Sequence, residues 1–322
     1  MREYMFTLLL SAALCYLITP FVKTLATKFG AVALVRTRDV HTSPTPRWGG
    51  VAMWAAMSIT FIIVQHLTLV GKSFGHEAQG IFLAGTFLVL LGMADDRFQL
   101  DALTKLAGQA LAAGILLIYG IQILWLPING VITLPPSIGQ LVTVLIVLVT
   151  INAVNFIDGL DGLAAGIVAI AGAAFFTFAY LLAVVWGFSR AGAPSLMTAV
   201  LIGICLGFLP HNSHPARIFM GDSGSMFLGL LLASAAITLT GQVDPNAISA
   251  VEAGPTLGSA LMATGNIDEL VIYQAPKLLG AGKEFVSHLG ISTLADHIGL
   301  ELISVEQFGS DAKSHYRIVK GR

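Results

Sequence analysis

Charge is what this sequence has least of. Asp, Glu, Lys and Arg together make up 11% of its 322 residues, against about 25% in a soluble domain. A hydrophobic share of 56% therefore excludes an ordinary soluble globule and points to a polytopic membrane protein. Cysteine is nearly absent: Cys15 and Cys205 both lie in apolar runs, which argues against a disulfide framework. A formal net charge of −1 says nothing about nucleic acid, which is not expected as a partner. No fixed-period repeat is visible. No small-residue cleavage site follows the first apolar run, Tyr4 to Val22, so that run is expected to stay as a span.

What is there is apolar length. Apolar runs fall near 4–22, 48–65, 79–94, 107–127, 139–157, 163–187, 194–210 and 224–241. Each is long enough for a hydrocarbon layer of about 30 Å, the third and seventh only just. The runs are continuous rather than alternating, which selects helices over a barrel. The fold class expected is an all-α polytopic membrane protein of about eight transmembrane helices, with a small, partial soluble α/β tail. The domain boundary is expected near Ala250, giving 1–250 and 251–322. Loops after odd-numbered spans hold Lys23, Lys28, Arg36, Arg38, Arg47, Arg97, Lys105 and Arg217; the other side holds Arg2, Lys72 and Arg190. Eight against three places the odd-numbered loops in the cytoplasm. Asp39, Asp95, Asp96, Asp101, Asp158, Asp161 and Asp222 fall on the same side. Positive-inside sorting does not explain aspartates, so their convergence suggests a site that handles cations.

Four stretches could carry chemistry. Asp95-Asp96-Arg97 ends the third span. Adjacent carboxylates suit a metal ligand or general base, or form a solvated loop with Arg97 as salt partner. In N-A-V-N-F-I-D-G-L-D-G-L-A-A-G, residues 152–166, the i, i+3 spacing of Asp158 and Asp161 puts both carboxylates on one helical face with Asn155. Asn152 opens that stretch. In residues 211–224, His211 and His214 read as a solvated loop, Phe219 as an aromatic ring or interfacial anchor, and Ser223, Gly224 and the free N–H groups of the eighth span as an anion cradle. In His41-Thr42-Ser43-Pro44-Thr45-Pro46-Arg47-Trp48-Gly49-Gly50, Arg47 is either a phosphate ligand or a membrane anchor.

Together, H-T-S-P-T-P-R-W-G-G, G-M-A-D-D-R-F-Q-L-D, N-A-V-N-F-I-D-G-L-D-G-L-A-A-G and P-A-R-I-F-M-G-D-S-G-S resemble the polyprenyl-phosphate N-acetylhexosamine-1-phosphate transferases. D-V-H near Asp39 and L-G-F-L-P-H-N near Pro210 look closest to the actinobacterial branch that uses UDP-N-acetylglucosamine. The resemblance covers roughly 1–250. It implies transfer of a sugar-1-phosphate from a UDP-sugar to a polyprenyl phosphate in the cytoplasmic leaflet of the plasma membrane, releasing UMP, with Mg²⁺ or Mn²⁺. It also implies roles. Asp95 and Asp96 match the pair assigned to activating the lipid phosphate. Asn155, Asp158 and Asp161 match the nucleotide–metal motif, Asp222 the metal-binding aspartate, and Phe219 the ring that stacks on uracil. Asn212, Gly221, Arg47 and His41 sit at positions expected to bind substrate. A homodimer is a further candidate partner, hinted at by G-x-x-x-G at Gly203 and Gly207.

The resemblance breaks after the eighth span. The family continues with more helices and a histidine-rich H-x-H-H loop, and neither is found here. Instead V-E-A-G-P-T-L-G-S-A-L and I-D-E-L-V-I-Y-Q-A-P-K-L-L-G resemble the end of the riboflavin-biosynthesis reductase domain. E-L-V-I-Y is read as a strand deprived of its sheet, followed by loops and helix-like segments. Two other readings stand beside the transferase: a truncated or fused inactive member of the same family, and a cation-coupled transporter. A transporter would place ionisable groups at mid-membrane depth, whereas here they gather at span ends.

Overall fold

A computed structural model describes residues 2–33, 44–68, 70–73, 75–126, 132–185, 192–242, 268–274, 298–308 and 311–319. His41 and Asp39 lie outside the described residues, as do the junction at 243–250 and the tail's expected helix-like segments. The chain divides into two compact units, Met1–Val243 and Asp244–Arg322.

Among the described residues the first unit is a bundle of eight α-helices: α1 (Arg2–Lys28), α2 (Gly49–Val64), α3 (His76–Phe98), α4 (Ala102–Ile118), α5 (Pro136–Ile157), α6 (Leu163–Tyr180), α7 (Gly192–Asn212) and α8 (Gly221–Gln242). Six are long and apolar enough to cross a membrane, while α2 and α4 are shorter apolar helices. The count matches the apolar runs, but the short members differ from those expected. The third helix has 23 residues because it runs on through Asp95, Asp96 and Arg97, which the sequence reading had placed in a loop. Two small antiparallel ribbons decorate the bundle. Val32–Ala33 (β1) pairs with Thr45–Pro46 (β2), and Trp125–Leu126 (β3) with Ile132–Thr133 (β4).

Helical periodicity decides which face each helix hides. Along α5, Gly139, Thr143, Val147, Ile151 and Val154 are buried, while Leu141, Leu145 and Val149 face outward. An outward stripe of leucine and valine is stable only against lipid. Helices α7 and α8 form the centre, with 83% of the apolar window of each buried, against 22% for α5. Close approach there depends on glycine. A Cβ at Gly207 would lie 2.2 Å from the Ala12 carbonyl oxygen, and one at Gly203 2.4 Å from that of Leu8. The G-x-x-x-G motif is thus used inside the chain, to seat α7 on α1, and no longer hints at a dimer.

In the second unit the described residues form one antiparallel sheet of Glu269–Gln274 (β5), Gly299–Phe308 (β6) and Asp311–Val319 (β7), in the order β5-β7-β6. The E-L-V-I-Y strand is present as β5. It is not unpaired: all six of its residues register with β7, from Glu269 opposite Arg317 to Gln274 opposite Ala312. The alternation of faces along the strands is broken by a bulge between Leu302 and Ser304 and by Val271 and Tyr273, which register with His315 and Lys313. Leu270, Ile272, Leu300, Leu302, Tyr316 and Ile318 share one face by register. The other face carries ion pairs, among them His315 with Glu269 at 3.0 Å and Lys313 with Glu306 at 3.8 Å.

Candidate active site

The site forms where the end of α3 meets the start of α8. Helix α3 stops at Gln99, which takes a left-handed conformation with φ 55°. The turn is held by Asp95, whose Oδ1 accepts from the Leu100 amide at 2.7 Å. Asp101 then caps α4, its carboxylate accepting from the Thr104 amide at 3.0 Å. Asp101 therefore serves the helix start. One turn into α4, Lys105 reaches back. Its Nζ lies 2.9 Å from Asp95 Oδ2 and 2.9 Å from Asp222 Oδ2. Arg97, the expected salt partner of the acidic pair, instead donates from Nε to the Phe29 carbonyl at 3.0 Å.

Asp96 is turned the other way. Both its oxygens face the first turn of α8, where it accepts from the Asp222 amide at 2.9 Å, the Ser223 amide at 3.2 Å and the Ser223 hydroxyl at 2.9 Å. The anion cradle expected at the eighth span is real, and its anion is this aspartate. Gly221 completes the arrangement. It has φ +72°, and a Cβ there would lie 2.5 Å from Asp96 Oδ2, so glycine is required for both backbone and space. The α2 start joins the same junction: the Gly49 and Gly50 amides donate to the Phe219 and Met220 carbonyls at 3.0 Å each, and the Phe219 amide donates to the Pro46 carbonyl at 2.7 Å. These bonds satisfy amides that a helix start leaves without partners. They also fix Phe219, which is half-buried, and Arg47 beside one another in the chain path.

Asp158 and Asp161 do not share a helix face. Helix α5 ends at Ile157 with Asp158 as its cap residue, and Gly162 turns the chain at φ 73° before α6 begins. The two carboxylates sit in a turn and take separate directions. Asp161 Oδ2 accepts from the Ala216 amide at 3.1 Å and lies 2.9 Å from His214 Nδ1. Asn212 works beside it, accepting from the Gly162 amide at 3.0 Å and donating to the Ile218 carbonyl at 3.1 Å. Asp161 and Asn212 thus tie the 158–162 turn to the 213–219 loop. Asp158 is different. It is half-buried, and no hydrogen bond or ion pair engages its carboxylate among the described residues. Burial, and then the negative charges of Asp96 and Asp222, hold its carboxyl well above the usual carboxylate range, with Arg47 opposing them.

Asn155 donates from Nδ2 to Asp222 Oδ1 at 3.2 Å and to the Ser225 hydroxyl at 2.8 Å. One turn deeper, Asn152 donates to Gln109 Oε1 at 2.7 Å. Lys105 and Gln109 are the members the sequence reading missed. Their signal is a lysine and a glutamine at i, i+4 on one face of an otherwise apolar helix. Asp95, Asp96, Asp158, Asp222, Asn155, Lys105 and Arg47 thus form one electrostatic group; Asp161 and Asn212 brace its loops.

If Asp96 is structural in this way, Asp96→Asn should cost the bundle stability. An amide nitrogen would replace one of the two accepting oxygens and face one or two of the three donors, at about 2–4 kcal/mol. Thermal unfolding of the purified protein checks this, and an unchanged midpoint would contradict the capping role.

Comparison with known proteins finds two families along the chain. The family described as glycosyl transferase family 4 matches residues 78–240, and the RibD C-terminal domain matches residues 249–314. The decaprenyl-phosphate N-acetylglucosaminephosphotransferase of Mycolicibacterium smegmatis is 41% identical over 257 residues, covering 78% of this chain and 63% of the relative. The protein of the same description from Mycobacterium tuberculosis is 40% identical, with 64% of the relative covered. A phospho-N-acetylmuramoyl-pentapeptide-transferase of Mycobacterium sp. is 31% identical over 280 residues, covering 74% of this chain and 77% of the relative. The chain thus spans less than two thirds of the length of the first two relatives. A family match across half its residues, on a multi-pass bundle whose matched segments build the acidic site, places the chain in glycosyl transferase family 4.

Proposed function

We propose that this protein transfers N-acetylglucosamine-1-phosphate from UDP-N-acetylglucosamine to a polyprenyl phosphate, releasing UMP and starting a lipid-linked cell-wall glycan. The observation that carries the reading is the acidic group at the α3–α8 junction, where a half-buried carboxylate with no bonding partner among the described residues, Asp158, feels the charges of Asp96, Asp222 and the Arg47 guanidinium. In the reaction, an oxygen of the lipid phosphate attacks the phosphorus that bears the sugar. A new P–O bond forms, the bond to the bridging oxygen breaks, and UMP leaves with that oxygen. Phosphoryl transfer asks a protein mainly for positioning and charge neutralisation. Lys105 and Arg47 supply positive charge for the phosphates. Asp95 accepts a proton from a singly charged lipid phosphate. Phe219 offers an aromatic face for the uracil, and Asn155 orients Asp222.

A divalent cation fits this donor set. The donors are hard oxygens, and no group of three or more His, Cys, Asp or Glu side chains forms a closed cage among the described residues. Mg²⁺ is commonly held by one or two carboxylates together with substrate phosphates, and Asp158 and Asp222 provide two. Bound there, Mg²⁺ or Mn²⁺ would neutralise the pyrophosphate as charge builds on the departing UMP.

The assay is direct: purified protein, labelled UDP-N-acetylglucosamine, a polyprenyl phosphate and Mg²⁺, followed by extraction of the lipid product. Formation of labelled lipid and UMP in equal amounts is expected. Absence of product, with the bundle folded and the sugar nucleotide bound, would favour an inactive member of the family. We further place the site on the cytoplasmic side of the plasma membrane. Both native cysteines are buried, so single introduced cysteines can be read cleanly. Ser213→Cys should label only after permeabilisation and His76→Cys in intact cells; the reverse pattern would invert the topology.

A further inference from the structure

We infer that the Lys105 ammonium is a tethered counter-ion of this site, exchanged for a divalent cation when one binds, and that its departure uncovers Asp95 and Asp222. The nature of the substrate phosphates rests on the transferase reading; the exchange itself does not.

The two carboxylates are fixed and the ammonium is not. Asp95 is pinned through Oδ1 to the Leu100 amide at 2.7 Å. Asp222 is pinned through Oδ1 to Asn155 at 3.2 Å, and its own amide is bonded to Asp96 at 2.9 Å. Each turns Oδ2 to Lys105, at 2.9 Å, and the two carboxylates also meet each other directly. The result is a pair of preset oxygens with one monovalent cation between them. Lys105 and Asp222 sit on the open side, their side chains 29% and 25% exposed, while that of Asp95 is 8% exposed. A four-carbon stem with rotatable bonds can therefore carry the ammonium out without moving either aspartate.

Electrostatics favours the exchange. A divalent ion between the same two carboxylates gains twice the Coulomb attraction of an ammonium at equal distance. Opposing this, Mg²⁺ surrenders water reluctantly. The ammonium thus holds the acidic group together when no metal is bound and yields when one is. Asp158 is available to the incoming ion throughout. Arg47 is a separate case: it has no pair with Asp95 or Asp222 among the described residues, so it is not the charge that leaves. Once displaced, Lys105 remains tethered beside the site, where the next anion it can meet is a phosphate. Asp95 Oδ2 becomes free to take a proton. One side chain thereby links cation occupancy to readiness of the proton acceptor.

The test uses the whole chain in detergent micelles with Mn²⁺ alone and no sugar nucleotide, reading free Mn²⁺ by electron paramagnetic resonance. Lys105→Met, which removes the competing charge, should bind Mn²⁺ at least about tenfold more tightly than the wild type. Lys105→Arg, which keeps the charge, should stay close to the wild type. Unchanged or weaker binding by Lys105→Met would overturn the exchange. A second measurement needs no variant: acylation of Lys105 by a small amine reagent, mapped by mass spectrometry, should rise several-fold when Mn²⁺ is added. No rise, or protection, would overturn the proposal. Lipid-product formation is scored separately. Tighter Mn²⁺ binding without product would sink only the transferase reading, and product without any Mn²⁺-linked change at Lys105 would sink only the exchange.

Discussion

Asp158→Asn is expected to lower transfer by at least about a thousandfold while leaving the bundle folded. The two halves of that expectation come from the same observation. The Asp158 side chain has no bonding partner among the described residues, so asparagine breaks no bond. Its size is retained. Its charge is lost, and that charge is repelled by Asp96 and Asp222, so the folded protein should be no less stable than before. The site, however, loses the carboxylate that the proposed transfer uses toward substrate and cation. Turnover and thermal unfolding should be measured on one preparation, with Mn²⁺ affinity as a third reading. Activity within about tenfold of the wild type would remove Asp158 from the proposed chemistry. A large loss of unfolding temperature would show that it holds structure instead. Asp161→Asn gives the contrast. Asp161 is bonded to the Ala216 amide, so its loss should loosen the 213–219 loop and act on substrate affinity and stability together.

The sequence made some of these distinctions legible and hid others, for physical reasons. Eight apolar runs predicted eight helices because burial in lipid depends on composition, which is readable residue by residue. Helix ends were less readable. Asp95, Asp96 and Arg97 look like a loop by charge, yet they form the last turn of α3, because Lys105 meets Asp95, the α8 start meets Asp96 and the Phe29 carbonyl meets Arg97. The spacing of Asp158 and Asp161 suggested a shared face, but α5 ends at Ile157 and both residues lie in the turn that follows. Composition names seven aspartates without sorting them. Their division into a capping anion (Asp96), a helix cap (Asp101), a loop brace (Asp161) and an open carboxylate (Asp158) depends on which amides come near. Those amides belong to segments up to 127 residues away in sequence, as for Asp96 and Ser223. In the tail, β5 was legible as a β-branched run. Strands β6 and β7 were not: Asp311, Lys313, His315 and Arg317 alternate along β7 like a solvated segment until a register is known, and a bulge interrupts the period of β6.

Gly50→Ala should be the most damaging single-methyl change in the bundle. A Cβ at Gly50 would lie 2.1 Å from the Gly224 amide nitrogen and 2.3 Å from both Gly224 Cα and the Ser223 carbonyl carbon. All three are backbone atoms, so no side chain can rotate aside and the helices themselves must part. Separation costs more than packing. It stretches the Gly49 and Gly50 amide bonds to Phe219 and Met220, and it shifts the first turn of α8, where Asp96 holds the Asp222 and Ser223 amides. Gly92 approaches the same turn from α3, with a Cβ position 2.3 Å from Ser223 Cα, so the turn has no free side into which to retreat. Overpacking costs about 1–3 kcal/mol where side chains can yield, and two weakened backbone bonds add about 1 kcal/mol each. A total of about 4 kcal/mol or more is a large part of the 5–15 kcal/mol typical of folded proteins. Gly166→Ala is the control. It too replaces a glycine on a helix of the same unit, but nothing lies within 4 Å of its Cβ position, and alanine there should stabilise α6 by up to about 1 kcal/mol. Size-exclusion profiles and unfolding midpoints of the two variants should therefore move in opposite directions. If Gly50→Ala elutes and melts like the wild type, the close seating of α2 on α8 is wrong, and with it the positioning of Asp222.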